Sequence, residues 1–135
     1  MNAHYPQVAE WAAHRCEYCG APEAVFNFLF EVEHIVPSVR GGADDESNWA
    51  LACRACNVHK SGHVDGVDPD TQAVVRLFHP RRDRWSEHFR ADAATCAIAG
   101  MTAVGRGTAA RLNMNSPAQL LARRQWMRLK LFLSA

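Results

Sequence analysis

The chain has 135 residues, 48% of them hydrophobic and 21% charged, with fifteen Lys and Arg against fourteen Asp and Glu and a net charge of +1. That fits one compact domain over 1–135, and no apolar run approaches the roughly 20 residues that cross a bilayer, so no membrane association is expected. Residues 1–15 include Glu10, His14 and Arg15 and do not read as a secretory signal, so the expected compartment is cytoplasmic.

The near-neutral total averages two unlike parts. All fourteen acids lie at or before Asp92 together with nine cations, so 1–92 carries −5 and 93–135 carries +6. A cationic block free of acids reads as a phosphate-facing surface or as a solvated helix face.

In chain order, the aromatic and β-branched run 25–36 is expected to form a strand ending near His34. After the Gly41-Gly42 turn, 49–52 reads as a second short strand, and 54–61 as a short helix stopped by Gly62. Turn clusters at Asp65-Gly66 and Asp68-Pro69-Asp70 precede a further strand over 73–78. Helices are expected over 102–113 and 117–133, the second capped by Ser116 with Pro117 in its first turn. The order of elements is that of an α+β fold with a helical C-terminal part.

Four of the five cysteines form two pairs, Cys16-Glu-Tyr-Cys19 and Cys53-Arg-Ala-Cys56. A two-residue spacing lets both thiolates of a pair face one tetrahedral ion, which makes Zn²⁺ the expected structural cofactor. Disulfides need an oxidising compartment, and a redox pair would need only one such motif. The metal would close 20–52 into a loop. Cys96 is left over and reads as a small buried apolar residue.

Inside that loop lie Glu33-His34-Ile35-Val36-Pro37, Gly41-Gly42 and Asn48, and Asn57 and Lys60 follow Cys56. The stretches CEYCG, VEHIVPSVRGG, SNWALAC and CRACNVHKSG resemble the HNH endonucleases of the ββα-metal (His-Me finger) fold, in the small bacterial subgroup with a four-cysteine zinc staple. The likeness runs from Cys16 to Gly62, about a third of the chain, and implies a zinc-clamped ββα core over about 14–63 and a basic extension over about 64–135. It implies that His34 is the general base, that Glu33 and Asn57 hold a catalytic Mg²⁺ or Mn²⁺, and that Asn48 fixes the loop carrying His34. Oxygen ligands suit those hard ions, and a neutral imidazole suits proton abstraction near pH 7. Two positions depart from the family pattern: Glu33 stands where many members have Asp, and Asn57 where the family name has its last His. Neighbouring strand residues point to opposite faces, so Glu33 and His34 serve one centre only if the strand ends or bulges between them.

Lys60, Arg40, Arg81, Arg82 and Arg84 are further candidate phosphate contacts, the last three interleaved with Trp85 and Phe89. On the last helix Ala118, Ala122, Trp126, Leu129 and Leu133 share one apolar face, with Arg123 and Lys130 in one cationic stripe and Arg124 and Arg128 in another. The expectation is that one apolar face packs on the domain, another on a second copy as a homodimer or on flanking structure, and that these cations face DNA. The function expected from the resemblance is metal-dependent hydrolysis of DNA phosphodiester bonds to 5′-phosphate and 3′-hydroxyl ends, with RNA left open as substrate. The other reading is a zinc-stapled module that binds nucleic acid or protein without cutting.

Overall fold

A computed structural model describes residues 2–132, so the expected helical position Leu133 lies outside the described residues. The first half contains α1 (Tyr5–Trp11), β1 (Glu31–His34), β2 (Trp49–Ala52) and α2 (Arg54–Lys60). The second contains β3 (Asp65–Val67), β4 (Val74–Arg76), α3 (Trp85–His88), β5 (Phe89–Ala91), β6 (Ile98–Gly100), α4 (Ala103–Arg111) and α5 (Pro117–Arg128). The strands pair as three separate antiparallel hairpins, β1 with β2, β3 with β4 and β5 with β6. The fold is mixed α and β, with a ββα unit built by β1, β2 and α2.

β1 is much shorter than the hydrophobic run suggested, because the backbone N–H of Phe30 donates to the Glu23 carboxylate at 2.7 Å and so never enters a ladder. Phe26 and Phe30 pack edge to face at 4.8 Å, which commits these two rings to the core rather than to a strand, while Phe28 between them stays half exposed. From Glu31 the register is unbroken, pairing Glu31 with Ala52, Glu33 with Ala50 and His34 with Trp49. β2 and α2 lie where the sequence puts them. Cys53 caps α2, its sulfur accepting from the Cys56 N–H, and the helix closes on Ser61 at φ 49° rather than on Gly62.

The second half holds elements that the sequence did not announce. The Asp65-Gly66 turn is part of strand β3, and the Phe89–Ala91 and Ile98–Gly100 hairpin has no alternating pattern to reveal it. α4 packs against both hairpins, tied by the Thr108 hydroxyl, which accepts from Phe78 N–H at 2.8 Å, and by Arg106, which grips the buried Asp68 through two bonds of 2.9 Å. α5 stops at Arg128. Lys130 takes φ 59°, and the N–H groups of Lys130 and Leu131 turn back to the carbonyls of Met127 and Trp126, the bonding of a Schellman end. The chain then returns Phe132 to Gly20 of the cysteine knuckle, where a Cβ would lie 2.9 Å from the phenyl ring. One cluster of buried side chains runs through both halves, from Val8, Tyr18 and Leu51 to Phe89, Leu112 and Trp126.

Candidate active site and metal centre

The four cysteines of the two pairs converge. Their sulfurs all lie within 4.8 Å of one another and all four residues are buried. Cys19 and Cys53 sulfurs are 3.7 Å apart, against about 3.8 Å for the edge of a tetrahedron with Zn–S bonds of about 2.3 Å. In each pair the N–H of the second cysteine points at the sulfur of the first, at 3.5 Å, as suits a charged sulfur. With no cation the sulfurs must share protons: hydrogen bonding with Cys16 and the other two holds Cys53 far below the ordinary thiol range, while Cys19 and Cys56 are driven far above it. The donor set therefore fits a structural zinc ion, which would join the knuckle at Cys16 to the first turn of α2.

The loop from β1 to β2 is organised by Asn48, the buried residue just before β2. Its Oδ1 accepts from Val36 N–H at 2.9 Å, and its Nδ2 donates to the carbonyls of Val36 at 2.8 Å and Ala43 at 2.7 Å. Gly42 is squeezed into this arrangement, since a Cβ there would fall 1.8 Å from the Val36 oxygen. The expected cross-loop amide is thus present, and it acts on the segment directly after His34.

His34 ends β1 with its side chain 40% exposed, and its Nε2 lies 3.0 Å from Asp44 Oδ1. The same carboxylate oxygen accepts from the Trp49 indole N–H at 3.3 Å, and His4 stacks on the Trp49 ring at 3.9 Å. If Nε2 carries the hydrogen that Asp44 accepts, Nδ1 keeps its lone pair and is the nitrogen able to take a proton. Asp44 sits in a run of acids after Gly42 and has no sequence signal of its own.

Glu33 departs from expectation. It is only 7% exposed, its Oε1 accepts from the Tyr18 hydroxyl, and its Oε2 lies 3.0 Å from Lys60 Nζ. Burial pushes its carboxyl above the ordinary range against the pull of Lys60 and Tyr18. Because β1 runs straight to His34 with no bulge, Glu33 faces inward toward α2 while His34 points to the other side. Asn57, the other expected ligand, donates from Nδ2 to Glu31 Oε2 at 2.8 Å. Glu31 precedes Glu33 by two and so shares its face, the one signal by which the sequence could have nominated it. As arranged, Glu33 offers a hydrated ion no open oxygen; Glu31, exposed beside Asn57, does.

The expected phosphate contacts divide sharply. Lys60 is 1% exposed and bound to Glu33 and to the His34 carbonyl, so it is an interior cation. Arg123 is fully buried, donating to the carbonyls of Cys96 and Met114, each at 2.8 Å. Arg81 pairs with Glu17 and lies over the Trp11 ring. These three are not open to a phosphate, because each already neutralises or bonds an internal partner. Arg40, Arg82, Arg84, Arg124, Arg128 and Lys130 are exposed. Trp85 and Phe89 belong to the packing, the first donating from its indole to the Tyr18 carbonyl at 2.8 Å and the second buried. No helix among the described residues is long and apolar enough to cross a membrane.

Compared with known proteins, the chain matches the family model described as HNH endonuclease over residues 16–62. Neither the curated proteins nor the solved structures return a match. The matched span begins at the first cysteine, contains β1, β2 and α2, and ends just past α2. Over 16–62, then, the ββα unit of this chain is similar to the HNH endonuclease family model, and a group of four cysteines able to hold a metal ion closes it.

Proposed function

We propose that the protein is a metal-dependent HNH endonuclease that hydrolyses phosphodiester bonds in DNA, with His34 as the general base. The observation that carries this is the His34 side chain, half open to solvent at the end of β1 with Nε2 bonded to Asp44. The neutral imidazole would take a proton at Nδ1 from a water attacking phosphorus in line. The P–O3′ bond breaks and the departing oxygen takes a proton from solvent water, leaving a 5′-phosphate and a 3′-hydroxyl. Asp44 favours the imidazolium that forms and, anchored by Trp49, fixes the ring. Asn48 does no chemistry in this reading and keeps the turn after His34 in shape. Glu31 and Asn57 oxygens, on the α2 side of β1 and across the strand from His34, would hold a divalent ion, Mg²⁺ or Mn²⁺, whose part would be to neutralise charge on the nucleic-acid backbone rather than to touch the water that His34 activates. Arg40, Arg82, Arg84, Arg124, Arg128 and Lys130 are the exposed cations that would hold the backbone. One such site cuts one strand. Paired cuts would need a homodimer, for which exposed Leu121 on α5 and Leu129 just past its end offer apolar surface.

The enclosure of Glu33 favours a second reading, a zinc-stapled module that binds nucleic acid or protein without cutting. Supercoiled plasmid, linear single-stranded DNA and RNA, each incubated with and without Mg²⁺ or Mn²⁺, separate the two. The enzyme reading expects metal-dependent cutting that falls at least about 100-fold in His34→Ala, at unchanged melting temperature. Equal behaviour of the two proteins on all three substrates sinks it, and preferential cutting of RNA would move the substrate assignment.

A further inference from the structure

Among the described residues Arg123 is the largest side chain buried completely, and it was expected on the surface. Burying a guanidinium is costly unless its charge is answered nearby. Its hydrogen bonds go to neutral carbonyls, those of Cys96 and Met114, and to Asn115 Oδ1 at 3.3 Å. Its Nε has no partner among the described residues, and no carboxylate among them lies within ion-pair distance. The ring that the guanidinium covers is Phe132, 5.9 Å from Cζ, and that ring packs on Gly20, the residue after Cys19. Arg123 thus stands behind the first cysteine knuckle. Burial pushes its pKa down, and the sulfurs that push it back up include Cys19, Cys56 and Cys53 of the cluster.

We infer that Arg123 is the counter-charge of the zinc–tetrathiolate centre, and that α5 and the turn after it are set behind the first cysteine knuckle to deliver it. Four thiolates around one Zn²⁺ carry a net charge of −2, buried among apolar side chains. A cation in the same low-dielectric interior lowers the cost of that charge and gains its own neutralisation. The Schellman end of α5 belongs to the device, because it sends Phe132 back to fill the space between guanidinium and knuckle. The inference rests on the fit of zinc to the cysteines and is independent of catalysis at His34.

Two full-length variants separate charge from hydrogen bonding. Arg123→Lys keeps the cation and loses the planar fork; Arg123→Gln keeps an amide donor and loses the charge. Zinc affinity is measured by competition with a chromophoric chelator, and melting is recorded for zinc-loaded and zinc-stripped protein. The expected result is zinc affinity 10- to 100-fold weaker in Arg123→Gln and within about threefold of wild type in Arg123→Lys. Arg123→Gln holding zinc as tightly as wild type, or Arg123→Lys losing it as badly as Arg123→Gln, overturns the inference and leaves Arg123 a packing residue. If Arg123→Gln does not fold, Arg123→Lys decides alone: affinity within threefold supports the role and a tenfold loss rejects it. No arm involves nucleic acid, so failure here leaves the nuclease reading standing, and failure of cleavage leaves this one.

Discussion

The ββα unit and the segment after it both bury charge, and they answer it differently. Between β1 and α2, Glu33 and Lys60 face each other at 3.0 Å with Tyr18 closing the remaining side, a local pair formed inside one module. In the second half the cations reach across elements: Arg106 on α4 to Asp68 beyond β3, Arg111 to Asp65, and Arg123 on α5 into the interior behind the cysteines. The +6 block is therefore no uniform DNA-facing surface. Three of its six cations are bonded within the protein, Arg123 in the interior and Arg106 and Arg111 part-exposed, and three, Arg124, Arg128 and Lys130, remain outside. The lesson is that a charge run in sequence measures binding surface only after its internal partners have been subtracted.

The comparison breaks most visibly at the metal. Cys53→Ala removes a ligand and the cap of α2 at once, so the ββα unit should lose its cooperative melt and its zinc. A cooperative circular-dichroism transition with full metal content would show that the cluster is not the organiser of that half. Next in size is the pair inside the module. Glu33→Gln leaves Lys60 buried without its counter-charge and should cost about 3–5 kcal/mol in denaturant unfolding, whereas Glu31→Gln at the exposed end of the strand should leave stability unchanged. Under the nuclease reading Glu31→Gln should instead raise the divalent-ion concentration needed for cleavage.

The cross-element pair is tested by acid. The Arg106 guanidinium holds the Asp68 carboxyl well below the usual carboxylate range. An unfolded chain takes up that proton near pH 4, before the folded one does, so the pair stabilises the fold above about pH 4 and its contribution fades as the pH drops further. Arg106→Met should therefore lower the melting temperature at pH 7 and flatten its fall between about pH 5 and 3. A fall as steep as in wild type would assign the acid sensitivity elsewhere. The smallest effect belongs to the outer cations: Arg124→Ala and Arg128→Ala should each reduce the salt dependence of DNA binding by about one unit of slope, with melting unchanged. Arg123→Lys, an interior change, should not alter that slope.

Much of the site could be read before any coordinates. The two cysteine pairs fix their own spacing, 49–52 is apolar between a turn and a cysteine, and Asn48 precedes it in the position of a cross-loop amide. These signals are local, and local geometry satisfies them. The rest depended on distant partners. The strand expected over 25–36 shrank to four residues because Glu23, seven residues upstream, captures the Phe30 N–H. The β5 and β6 strands carry no alternation to read, and Lys130 ends α5 in a conformation that sequence expects of glycine.

The sequence alone determined the metal cluster, the order of the ββα elements and the position of His34 at the end of a strand, because each follows from spacing along a few residues. Only the tertiary structure decided which charges are outside. Glu33 and Lys60 neutralise one another, Asp44 rather than a nearer residue meets His34, and Arg123 turns inward. Burial and pairing are properties of what folds against a side chain, and the partner of a charge can lie tens of residues away.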